Sequence, residues 1–81
     1  MALFFIHVRD LDGLIEDPEG SEFPDLENAY AEAWASAREI LANELRAGKT
    51  VHTQQLEICD AAGRMLATVP LRDAFTLSSQ G

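Results

Sequence analysis

Apolar and polar residues alternate on a two-residue period across residues 2–9. Phe4, Ile6 and Val8 fall on one side; Leu3, Phe5, His7 and Arg9 fall on the other. That period, rich in aromatic and branched side chains, predicts a first strand. Asp12 and Gly13 then supply the turn chemistry of a hairpin, and residues 14–17 return as a short second strand. Pro18 and Gly20 stop it, because proline has no N–H to give to a ladder.

After Pro24 the period lengthens to that of a helix. Leu26, Ala29, Tyr30, Ala33, Ala37, Ile40, Leu41 and Glu44 share one side, with Trp34 and Leu45 at its edge. Asn28, Glu32, Ala35, Glu39, Ala42 and Arg46 lie opposite. Asp25 is placed to cap the N-terminus, and Glu27 adds negative charge at the positive end of the helix dipole. No Gly or Pro interrupts residues 26–47, and Gly48 suits the position just past the C-terminus. The small side chains of Ala29, Ala33 and Ala37 make a ridge that lets the helix lie close against a sheet.

Alternation returns over residues 53–60, with Leu56 and Ile58 on one face and Gln55, Glu57 and Cys59 on the other. Residues 60–63 form a turn ending in Gly63, and residues 64–71 form a fourth strand. Met65, Ala67 and Val69 are taken as its inward set, because all three are apolar; Leu66 and Thr68 then face out. Residues 72–75 add a helical turn, and 76–81 form a frayed tail. The expectation is one α+β domain over residues 1–81, ordered over 1–75. It is a ββαββ chain folded as a four-stranded antiparallel sheet in the order 2-1-3-4, with one long helix on one face.

The run from Phe4 to Ala33, containing "FFIHVRD" and "DPEGSEFPDLENAYAEA", resembles the opening of a group of small bacterial proteins classed as a domain of unknown function. The later "LEICDAAGRMLATVPLRDA" is similar to their closing hairpin. The resemblance covers most of the chain. One departure is Ile6, which stands between the Phe pair and His7 and keeps His7 on the face of Phe5 and Arg9. The resemblance implies a fold and brings no activity or site with it.

Composition narrows the function classes. At 81 residues a single core is near the lower limit of what holds without a disulfide, a metal or self-association. Cys59 is the lone cysteine, so no internal disulfide forms, and a reducing compartment is expected. His7, His52 and Cys59 stand isolated, without zinc spacing, and no cofactor motif is present. Self-association is the stabilising device left. A formal net charge of −8, with no basic stripe, argues against nucleic acid. The N-terminal apolar run lacks the basic flank and cleavage site of a signal peptide, and no run reaches membrane-spanning length. A cytoplasmic protein is expected, without membrane contact.

Residues 10–29 concentrate carboxylates, and no Lys or Arg falls between Arg9 and Arg38. A calcium loop beginning at Asp10 puts Ile15 where glycine is needed and Ser21 where a bidentate Glu is needed. The structural account is stronger: Asp10 and Asp12 in a hairpin turn, Glu16 and Asp17 solvating a strand end, Asp25 as helix cap. No nucleophile motif or phosphate loop accompanies the carboxylates, so no catalytic residue is assigned and a non-enzyme is expected. His7 and Arg9 are read as surface residues bonded to strand neighbours such as Glu57, ahead of an anion site. Cys59, beside Asp60 and far in sequence from Lys or Arg, is read as a plain strand residue.

One feature resists that account. The sheet face away from the helix carries Leu3, Phe5, Cys59 and Leu66, more apolar surface than solvation needs. The expected function is a module that forms a homodimer or docks a partner protein, with Leu3, Phe5 and Leu66 as anchors rimmed by His7 and Arg9. The alternative is an acidic decoy, antitoxin-like, that meets a basic partner through residues 10–32.

Overall fold

The computed structural model describes residues 1–48 and 54–73. Among these described residues five strands and one helix follow one another: β1 (Ala2–Asp10), β2 (Gly13–Ile15), β3 (Ser21–Phe23), α1 (Leu26–Arg46), β4 (Gln55–Asp60) and β5 (Met65–Pro70). Every pairing is antiparallel, along the path β2-β1-β4-β5. These are the four expected strands. The departure from expectation is the fifth, β3, which shares one edge of β1 with β2.

That shared edge is broken in the middle. β2 pairs with residues 8–10 of β1, and β3 pairs with residues 2–4. Along its other edge β1 pairs with β4 from Phe4 to Arg9 without interruption. The second strand is also shorter than expected, ending at Ile15 rather than at Asp17.

Helix α1 begins where Asp25 accepts the Asn28 amide at 2.9 Å, and the Asn28 side chain adds a second bond at 2.8 Å. It ends at Ala47 and Gly48, whose amides donate to Asn43 and Leu45. Gly48 sits at φ +77°, backbone that L side chains rarely adopt. Ala29, Ala33 and Ala37 are fully buried, as the ridge predicts, and Leu41 extends their line. They meet Phe4, Leu56, Ile58, Val69 and Leu71 in one core. Burying each large aliphatic side chain there contributes about 1.5–3 kcal/mol.

The last hairpin corrects the expected facing of β5. A register shift between Ile58 and Cys59 pairs Ile58 with Ala67 but Cys59 with Met65, leaving Leu66 as the extra residue of a bulge. Ala67 and Val69 keep to the helix side. Met65 is turned out and is 54% exposed, and Leu66 packs against the core. Leu71–Asp73 begin a helical turn; the expected turn beyond Asp73, the frayed tail and His52 lie outside the described residues. The molecule is a slab 36 × 31 × 16 Å, thin because one helix covers one face of one sheet.

Candidate functional site

Three features of the sheet bear on function: its open face, the break in its edge, and a cleft beside the helix.

The open face is built by the odd residues of β1 and their partners. Register sets Phe5 against Cys59, His7 against Glu57, and Arg9 between Gln55 and Leu14. Arg9 Nε donates to Glu57 Oε2 at 2.6 Å, and Gln55 Nε2 donates to the same oxygen at 3.1 Å. Glu57 is only 7% exposed, a buried carboxylate held by its neighbours. The Arg9 guanidinium keeps its carboxyl below the usual carboxylate range, against the opposing effect of burial. Phe5 and His7 stack with ring centroids 6.3 Å apart. Burial, then the charges of Glu57 and Asp60, push the Cys59 thiol up, which is the opposite of activation.

Leu3, Phe5, His7 and Arg9 therefore share one face. Leu66 does not join them: the bulge sends it to the helix side, and Met65 takes its place. Leu14, opposite Arg9 in β2, adds an exposed apolar side chain at the far end. Met65 was hidden from sequence reasoning because a one-residue bulge inverts facing without altering composition. Leu14 was missed because the hairpin turn, expected at Asp12 and Gly13, falls at Leu11 and Asp12, with Gly13 paired to Asp10 and Leu14 to Arg9.

At the broken edge a side chain replaces a strand. The Ile6 amide, aimed into the gap between β2 and β3, donates to Asp17 Oδ2 at 3.3 Å. Asp17 Oδ1 accepts the amides of Gly20 and Glu19 at 3.1 and 3.3 Å. The Asp17 amide donates to His7 Nδ1 at 3.0 Å, which ties the turn to the open face. Burial would raise the Asp17 carboxyl, but the amides of Gly20, Ile6 and Glu19 together outweigh it and hold it below the usual range. Asp17 is thus a structural plug rather than the expected solvated strand end. Gly20 is required beside it: its φ is +72°, and a Cβ there would lie 2.9 Å from both the Phe4 carbonyl oxygen and the Phe5 ring.

Two other acidic residues, Asp10 and Asp60, serve turns. Asp10 Oδ1 accepts the Asp12 amide at 2.9 Å, and Asp60 Oδ1 accepts the amides of Ala62 and Arg64. Among the described residues no group of three or more His, Cys, Asp or Glu is placed to share a metal ion.

The cleft, about 280 Å³, opens between α1 and the helix side of β1. Ile6, Val8, Leu56, Phe23 and Ile40 form its apolar walls, and Asp17, Glu32, Ser21 and Ser36 its polar mouth. Tyr30 and Trp34 stack edge to face at 5.9 Å, with Trp34 packed on the core.

A carboxylate-plugged sheet roofed on one side by an Ala-ridged helix defines a small α+β domain. The chain belongs to the family described as a domain of unknown function, DUF6894, whose family model matches residues 3–72. No curated protein and no solved structure matches it. Among the described residues no helix is long and apolar enough to cross a membrane.

Proposed function

We propose that this protein is a non-enzymatic interaction module of the bacterial cytoplasm that forms a homodimer through the open face of its sheet. The observation that carries this is the placement of Leu3, Phe5, Leu14 and Met65 on one face that no described element covers. The slab is 16 Å thick, which leaves room for one helix layer and no second one. A chain of this size, with a single cysteine, gains most from burying such a face against a copy of itself.

A two-fold axis through the face is the economical geometry, since each copy presents the same patch. Phe5 and Met65 are the central anchors, Leu3 and Leu14 extend the patch, and His7 and Arg9 form a polar rim. The Arg9–Glu57 pair neutralises Glu57, the one buried charge on the face among the described residues, so a second copy meets no unpaired buried carboxylate there.

Sedimentation velocity on Phe5→Asp and Met65→Asp tests this. Phe5 also braces the Gly20 turn, whereas Met65 is largely exposed and its change leaves the fold alone. Both variants are expected to sediment as monomers with the helical circular dichroism of the wild type. Variants that stay dimeric would place the interface elsewhere.

A further inference from the structure

We propose that the cleft between α1 and β1 receives the lysine or arginine side chain of a basic segment on a partner protein. This is a second binding surface, on the opposite layer from the open face and independent of it.

The cleft exists because the helix is set over β4 and β5 and leaves the β2–β3 side of β1 partly bare. Ile6 and Val8 are only half-buried as a result. They form an apolar floor with Leu56, and Glu32 and Ser36 of the helix overhang it opposite Asp17. Glu32, on the solvated side of the helix as expected, is exposed and stands at this mouth.

Size and chemistry select the occupant. About 280 Å³ is at the lower limit of small-molecule pockets, which run from roughly 300 Å³ upward. It suits one long side chain. An apolar floor under an anionic rim matches a methylene stem with a cationic head, the shape of Lys and Arg.

Charge complementarity points the same way. Asp17 is fixed in position by three amides and faces the cleft ionised. Neither Asp17 nor Glu32 forms an ion pair with a Lys or Arg among the described residues. No Lys or Arg occurs from residue 10 to residue 37 to neutralise the rim from within the same stretch of chain. A cation supplied from outside completes the site.

The test is titration of the ¹⁵N-labelled protein with octa-lysine, with n-butylammonium as the small-cation arm. Shift changes are expected at Ile6, Val8, Ser36 and Ile40. Affinity for octa-lysine is expected to fall about fivefold in Glu32→Gln. Ser36→Phe, which fills the cleft without changing charge, is expected to weaken binding at least as much. Glu22→Gln, an exposed carboxylate outside the cleft, is expected to have a smaller effect than either. Three results overturn the proposal: no binding; shifts spread over the acidic surface with Glu22→Gln as damaging as Glu32→Gln; or n-butylammonium binding as tightly as the peptide, which would make this a small-cation site. None of these readouts depends on dimerisation, so the cleft and the open face stand or fall separately.

Discussion

The carboxylate of Asp17 takes the place of a strand carbonyl for the amide of Ile6, at 3.3 Å, in the gap where β2 has ended and β3 has not begun. One acidic side chain thereby keeps the two short strands on a common edge and anchors the turn between them.

Replacing Asp17 with Asn keeps the shape but sets an NH₂ against backbone donors. A loss of about 1–3 kcal/mol at neutral pH is expected, read by urea unfolding. The acid dependence has a definite sign. The folded carboxyl lies below its unfolded value of about 3.9, so its contribution is present above that pH and is lost as pH falls through the folded value. Wild-type stability is therefore expected to drop more between pH 7 and pH 3 than that of Asp17→Asn. Equal drops in the two proteins would remove the plug from the account.

Gly20→Ala is the most localised test of the same turn. It puts a methyl group against the Phe4 carbonyl and the Phe5 ring, in backbone at φ +72°. Destabilisation beyond about 1 kcal/mol is expected, measured by thermal or chemical unfolding. Gly13→Ala, where a Cβ meets no neighbouring atom, isolates the backbone cost and is the control.

The Arg9–Glu57 pair makes an asymmetric prediction. Glu57 is buried and Arg9 is half-exposed. Arg9→Met strands a buried carboxylate, whereas Glu57→Gln leaves a cation that water can solvate. Melting temperatures are expected in the order wild type, Glu57→Gln, Arg9→Met, from highest to lowest. The reverse order of the two variants would show that the pair acts through something other than the burial of Glu57.

Ala33 is fully buried in the middle of the helix ridge. Ala33→Leu forces three extra heavy atoms into the helix–sheet contact, with an expected cost of about 1–3 kcal/mol. An unchanged melting curve would mean that the helix can lift from the sheet without penalty.

Much of this fold was legible in the sequence. β1, α1 and β4 each run long enough for a period of 2 or 3.6 to be read, and Asp25 and Gly48 mark the helix ends by their chemistry. β3 was not legible, because Ser21–Phe23 is too short to show a period. The plug was hidden for a different reason: Asp17 serves an amide eleven residues earlier, and nothing local announces that partner. On the candidate face, Leu3, Phe5, His7 and Arg9 followed from alternation alone. Leu66 and Met65 exchanged roles because a bulge shifts register by one residue and turns each side chain to the other face. The cleft depends on where the helix lies across the sheet, and periodicity does not encode lateral offset.

The claim that a second copy covers the open face is tested most directly by solvent paramagnetic relaxation on methyl-labelled protein at high micromolar concentration. Leu11, 83% exposed at the tip of the β1–β2 hairpin, is the internal reference. The relaxation of the Met65 and Leu3 methyls, taken relative to that of Leu11, is expected to be lower at high concentration and to rise on dilution. Ratios of Met65 and Leu3 relaxation to Leu11 relaxation that stay the same at every concentration would contradict the dimer.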